Sequence, residues 1–124
     1  MFADDISLAF LDHRPLFPGH SLLVPREHHE TIWDLGDDLI APLFANARLL
    51  SAAVREAMEA KGAFIALNNI VSQSVPHLHI HVVPRNPKDG LRGFFWPRHR
   101  YESDGEARQA AEAIRAAVRR MTRD

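Results

Sequence analysis

The chain has 124 residues, 46% of them hydrophobic, which suits one domain with its own buried core. With 15 basic and 16 acidic side chains and no cysteine, it offers no general electrostatic argument for a nucleic-acid or acidic-membrane partner, and it excludes disulfides and thiolate metal sites. No apolar run reaches the ~20 residues needed to cross a bilayer, and Met1-Phe2-Ala3-Asp4-Asp5 lacks the basic start and apolar stretch of a secretory leader, so a soluble cytoplasmic protein is the expectation.

In chain order, Ile6 to Leu11 alternates partly and reads as a strand. Residues 13 to 19 hold two prolines and a glycine and read as a loop. Ser21 to Val24 reads as a second strand, stopped by Pro25 and paired antiparallel with the first. From Asp38 to about Lys61 the apolar residues Leu39, Leu43, Ala47, Leu50, Val54, Ala57 and Met58 recur at three- and four-residue steps, the period of a helix. Asp37 or Asp38 can cap its start, Pro42 is tolerable in its first turn, and Gly62 suits its end. Ala63 to Leu67 predicts a third strand, 68–76 a polar loop, and His77 to Val83 a further strand ended by Pro84. His28 and His29 follow Pro25-Arg26 and read as solvated turn residues.

Beyond Arg85 the composition changes. Residues 86–101 carry glycine and proline breakers together with Phe94, Phe95, Trp96 and several arginines. This predicts an ordered or partner-facing loop whose aromatic cluster either packs or stacks on a base. Ser103 and Glu106 form a potential capping box for a last helix, with Ala107, Ala110, Ala111, Ile114, Ala117, Val118 and Met121 on one face. Arg115, Arg119, Arg120 and Arg123 gather near its C-terminal end, where the helix dipole favours positive charge. The pattern predicts an α+β fold: an antiparallel sheet of about five strands, one long central helix and a C-terminal helix. It forms a single domain over 1–124, with a core at 6–85 and a loop and helix at 86–124.

Eight histidines is a high count for this length, and three of them alternate in His77-Leu78-His79-Ile80-His81. In extended backbone, residues two apart share a face. Leu78, Ile80 and Val82 must then face the core, and a slip of one residue would bury three imidazoles, so the register is fixed. Three readings of the histidine row stand: a solvated strand face, a metal site completed by a residue such as His20, or nucleophilic catalysis at phosphorus.

The segment His77 to Val83 resembles the signature of the histidine triad (HIT) family, three histidines alternating with apolar residues. Gln73-Ser74-Val75 before it and Pro84-Arg85 after it are similar to that family too. So are Phe10-Leu11-Asp12, Gly19-His20 and Val24 to His28, in the family's order. The resemblance covers residues 6 to 85. It implies a HIT-like fold and an enzyme that cleaves a nucleoside 5′-phosphate derivative, a dinucleoside polyphosphate or an adenosine phosphoramidate, through a covalent nucleotidyl-histidine. It further implies that His79 is the nucleophile, that His77 and His81 orient it and contact phosphate oxygens, and that His20 stands beside the triad. Gln73 and Ser74 would hold the phosphate and leaving group, Asp12 the ribose, and Asn68, or Asn69 in a shortened loop, an amide position near both.

The resemblance also implies a homodimer acting on a small purine nucleotide, with no required cofactor or metal, although a divalent cation can accompany a polyphosphate substrate. His81 resembles the hydrolase branches rather than the hexose-phosphate nucleotidylyltransferases, and Pro84-Arg85 is more similar to the dinucleoside-polyphosphate hydrolases than to the phosphoramidase branch. The rivals are a non-catalytic nucleotide-binding protein and a metal-dependent hydrolase using the three histidines as ligands.

Overall fold

The computed structural model describes residues 1–92 and 97–122. The chain divides into two compact units, Met1–Gly90 and Leu91–Asp124. The first is an α+β layer built from strands β1 (Phe2–Ala3), β2 (Ser7–Leu11), β3 (Ser21–Pro25), β4 (Gly62–Ala66) and β5 (Ile80–Arg85), with helix α1 (Asp37–Ala57) on one face. The strands form one sheet in the order β1-β2-β3-β5-β4, every neighbouring pair antiparallel.

Register divides the sheet into two faces. Ala9, Leu23 and Ile80 lie in one row across β2, β3 and β5, and all are buried. Against them α1 sets Leu43, Ala47, Leu50 and Val54, and Leu78 and Val82 complete the cluster. A fully buried aliphatic side chain contributes about 1.5–3 kcal/mol, so this layer carries most of the unit's stability. The next row, Phe10, Leu22, His81 and Ala66, faces the other way. On β2 the small residues Ser7 and Ala9 face α1, while Leu8 and Phe10 do not. Ser7 is tied down by the Asp4 carboxylate, which also accepts from Asn46 of α1.

Several expectations shift. Strand β1 is additional, too short to show a pattern in sequence. Helix α1 starts one residue earlier, with Gly36 as its N-cap and Asp37 and Asp38 in the first turn. Pro42 falls in the second turn, on the exposed side, where the carbonyl that its ring leaves without an amide can turn to solvent. The helix ends at Ala57 rather than near Lys61. Glu59 takes the left-handed conformation (φ 51°), and Gly62 opens β4 instead of stopping the helix. Ala57 and Met58 are consequently exposed. The last strand begins at Ile80, not His77, and runs through Pro84 to Arg85. Pairing of β5 with β3 stops at Val82, so Pro84 faces no strand on that side, where a missing donor is tolerated.

In the second unit, helix α2 (Asp104–Met121) follows an N-cap at Ser103, whose hydroxyl oxygen accepts from the Glu106 amide at 3.1 Å. This is the first half of the expected capping box. Phe94, Phe95, Trp96 and Arg123 lie outside the described residues.

Candidate active site

On the sheet face away from α1, a cleft of about 380 Å³ is lined by Phe10, Asp12, His13, Leu22, Val24, Ser74, Val75, His77, His79 and His81. That size lies within the range of small-molecule sites. The apolar wall comes from the β2–β3 register, which turns Phe10, Leu22 and Val24 to this side. The histidines come from alternation: 77, 79 and 81 are partly exposed while 78, 80 and 82 are buried. That alternation persists although only His81 lies in the ladder. Before Ile80 the backbone is held differently, with the Leu78 amide donating to the His29 carbonyl at 2.6 Å.

Backbone groups have fixed roles, a carbonyl accepting and an amide donating, and they determine the proton on each ring. His79 Nδ1 lies 2.8 Å from the His77 carbonyl oxygen. It must donate, which leaves Nε2 of a neutral His79 with a lone pair. His20 Nδ1 accepts from the Leu16 amide at 3.0 Å. Its Nε2 therefore carries the proton and donates to His81 Nδ1, also at 3.0 Å. Nε2 of neutral His81 is then an N–H. The His79 and His81 rings meet edge to face, with centroids 5.1 Å apart.

His20 is buried, placed by Gly19, whose φ of 96° suits glycine and whose Cβ, if present, would lie 2.5 Å from Met58 Cγ. Burial pushes the pKa of His20 down, partly offset by Asp12, whose carboxylate stands 3.6 Å from His20 Nε2. Burial likewise lowers that of His81, helped by the neighbouring His79 and His20 and opposed by Asp12. Both shifts favour the neutral rings that the hydrogen bonds require.

Of the residues singled out in sequence, the cleft brings together Asp12, Ser74, His77, His79 and His81, with His20 directly behind His81. Asn68 is exposed, its amide donating to the Ser72 carbonyl at 3.3 Å. Asn69 instead accepts from the Ile32 amide at 2.8 Å. Gln73 lies outside the lining: its Oε1 accepts from Ile70 N–H at 2.9 Å and its Nε2 donates to the Glu30 carbonyl at 2.5 Å. Phe10, His13 and Val75 join the lining. His28, read as a solvated turn residue, contacts His77. Only the large apolar residues alternating with small core residues on β2 could have announced Phe10.

Among the described residues, the cluster able to converge on a metal ion is Asp12, His20 and His81, not the triad itself. Its ligand atoms lie within 4.8 Å of one another. However, the Leu16 amide already uses the lone pair on His20 Nδ1. Ligation through Nε2 would require an imidazolate or the loss of that hydrogen bond, so the trio fits a metal poorly.

The HIT domain family model matches residues 1–88, and the chain belongs to that family. It is 38% identical over 91 residues to an uncharacterized HIT-like protein of Saccharolobus solfataricus, covering 72% of this chain and 66% of that one. An adenylylsulfatase of Arabidopsis thaliana is 31% identical over 122 residues, covering 93% and 60% of the two chains. An adenosine 5′-monophosphoramidase of Schizosaccharomyces pombe is 32% identical over 96 residues, covering 76% and 69%. The chain thus spans about two thirds or less of the first two relatives' length. Among solved structures, a HIT family protein of Bacillus subtilis superposes with a TM-score of 0.82 at 29% identity, covering 94% of this chain and 84% of its own.

Proposed function

We propose that this chain is a nucleotide hydrolase that cleaves a nucleoside 5′-phosphate derivative by covalent catalysis at His79. The observation that carries the reading is the 2.8 Å bond from His79 Nδ1–H to the His77 carbonyl, which leaves Nε2 as the nucleophilic nitrogen of a cleft-lining ring. Nε2 attacks the α-phosphorus. A bond forms from nitrogen to phosphorus, and the bond to the leaving group breaks, its electron pair departing with that group. Water then attacks phosphorus: its oxygen bonds as the nitrogen–phosphorus bond breaks, the electron pair returns to Nε2, and the proton shed by water passes to solvent, which releases the nucleoside monophosphate and the neutral imidazole.

The His81 Nε2–H is a donor for the charge that builds on a phosphate oxygen in each step. Asp12 accepts from ribose hydroxyls, Ser74 holds the phosphate or leaving group, and Phe10, Leu22 and Val24 supply an apolar wall for the base. Two relatives bear names for cleaving an adenylate from a small leaving group, sulfate or an amine. That supports an adenylate as substrate, with a dinucleoside polyphosphate as the larger alternative. β4 stands at the edge of the sheet, so a strand is available for the homodimer. A monomeric mass by light scattering overturns that part.

The test incubates the protein with adenosine 5′-phosphoramidate, adenylyl sulfate and diadenosine tetraphosphate, the last with and without Mg²⁺, and quenches each reaction for peptide mass analysis. The expected result is a nucleotidyl adduct on the peptide containing His79, and loss of turnover but not of AMP binding in His79→Ala. Turnover that survives in His79→Ala overturns the mechanism. Nucleotide binding without turnover of any compound supports the non-catalytic reading instead.

A further inference from the structure

His28 belongs to the segment that leads out of β3, and its ring is exposed. Its Nδ1 nevertheless lies 3.2 Å from Nδ1 of His77. The two ring planes are only 18° apart and the centroids 5.3 Å apart, an arrangement that suits an N–H···N bond between ring edges. The direction of that bond follows from the other side of His77. Its Nε2 sits 3.0 Å from the Pro25 carbonyl oxygen, which can only accept. Nε2 therefore carries the hydrogen, Nδ1 of the neutral ring holds a lone pair, and the hydrogen between the two histidines belongs to His28.

This contact matters because of where His77 stands. Residues 77 to 79 precede β5, so no sheet ladder holds them. The His77 carbonyl is the group that receives His79 Nδ1–H. The segment is instead fastened to residues 25–29 by three contacts: Pro25 O to His77 Nε2, His28 to His77 Nδ1, and His29 O to Leu78 N. Two of the three pass through the His77 ring, and His28 supplies the only one made by a side chain on the opposing segment.

We propose that His28 is a positioning residue: its Nδ1–H, acting with the Pro25 carbonyl, holds the His77 ring in the Nε2–H tautomer, and through the His77 backbone it fixes the carbonyl that orients His79. The proposal rests on the reading of His79 as nucleophile. His28 touches no substrate in this role. Its action passes through hydrogen-bond direction, so a donor at that position should substitute for it and an acceptor should not.

The experiment compares the full chain with His28→Ala, His28→Asn and His28→Asp. The asparagine amide places an N–H donor near the position of Nδ1, whereas the aspartate offers only oxygen lone pairs toward the lone pair of His77. Two readouts are taken: long-range ¹H–¹⁵N spectra of the histidine rings, which report each tautomer without any turnover, and kcat and KM with adenosine 5′-phosphoramidate. In the unaltered protein His77 should show a protonated Nε2 and an unprotonated Nδ1, and His79 the reverse. His28→Ala should shift the His77 signals toward a mixture of tautomers, loosen the fixed form of His79 and lower kcat roughly twofold to tenfold, the worth of one net hydrogen bond, with KM little changed. His28→Asn should recover most of the loss. His28→Asp should move the His77 proton toward Nδ1 and lower kcat further.

An unchanged His77 spectrum in His28→Ala, or equal kcat in the alanine and asparagine variants, overturns the proposal. If the unaltered protein turns over no adenylate, the nucleophile reading fails by itself, and the ring spectra still decide whether His28 sets the tautomer of His77 and the orientation of His79.

Discussion

His20→Ala removes a buried ring with two hydrogen bonds, and the structure allows its cost to be worked out in parts. His20 is 3% exposed and bonds Leu16 N–H and His81 Nδ1, each at 3.0 Å. Leu16 is 54% exposed, so its amide can turn to water at little cost. His81 Nδ1 faces the space that the imidazole vacates, and a buried group left without its partner costs about 1–3 kcal/mol. The space vacated by the imidazole adds on the order of 1 kcal/mol. The sum, about 2–4 kcal/mol, is below the 5–15 kcal/mol typical of a domain, so the variant should fold with a lower urea midpoint.

Activity should fall separately, because His81 is no longer held with its proton on Nε2. Losing a net bond of about 0.5–1.5 kcal/mol lowers kcat roughly twofold to tenfold. His20→Gln, whose amide Nε2 can donate toward His81, should recover kcat more than stability. The assays are urea unfolding and steady-state hydrolysis of adenosine 5′-phosphoramidate. A stability loss under about 0.5 kcal/mol, or a glutamine variant no faster than the alanine, would refute the reasoning.

Leu43→Ala should destabilise by about 2–5 kcal/mol, since Leu43 is fully buried between α1 and the sheet; a midpoint shift of a surface substitution's size would show the cluster able to collapse around the gap. Because burial holds His20 and His81 below their ordinary pKa, the unfolded chain binds more protons as pH falls through about 6.5. Their contribution to stability is therefore complete above that pH and declines below it. The urea midpoint should be lower at about pH 5.5 than at about pH 8, with the difference reduced in His81→Asn; a midpoint that rises on acidification contradicts the sign. Ile70 takes a φ of 73°, which costs a β-branched residue about 1–2 kcal/mol, more than the 0.4–1 kcal/mol that glycine adds to the unfolded chain's entropy. Ile70→Gly should raise the midpoint slightly, and a clear fall would show that the side chain itself supports the loop.

The site's central feature was legible because it follows from the core. Leu78, Ile80 and Val82 had to be buried, and the histidines between them had to face the other way, whether or not a ladder held them. Where the ladder begins was not legible. It depends on where β3 stops offering partners, since the Pro25 and His29 carbonyls are taken by the His77 ring and the Leu78 amide. The helix end failed for a related reason: Gly62 looked like the stop, but Glu59 accepted the left-handed turn itself. His28 and Gln73 show the limit most clearly. Nothing local in Arg26-Glu27-His28-His29 distinguishes His28, whose partner is 49 residues away. Gln73 looked free to meet a ligand, yet its amide bridges the Ile70 amide and the Glu30 carbonyl, a contact between segments that no sequence window contains.

The hydrogen-bond directions also separate the two kinds of chemistry that a histidine row invites. A metal ion wants several nitrogen lone pairs aimed at one point. Here three backbone groups prevent that: Leu16 N–H consumes a lone pair of His20, while the Pro25 and His77 carbonyls each fix a proton on a triad ring. What remains on the triad is one nucleophilic nitrogen, His79 Nε2, beside one N–H, His81 Nε2. Attack on phosphorus needs that pairing, an electron pair for the new bond and a donor for the charge that builds on oxygen. His20 sits buried behind His81 to the same end: with the Leu16 amide on Nδ1 it can present only Nε2–H, whereas a solvated ring, free to adopt either tautomer, could not impose one on its neighbour.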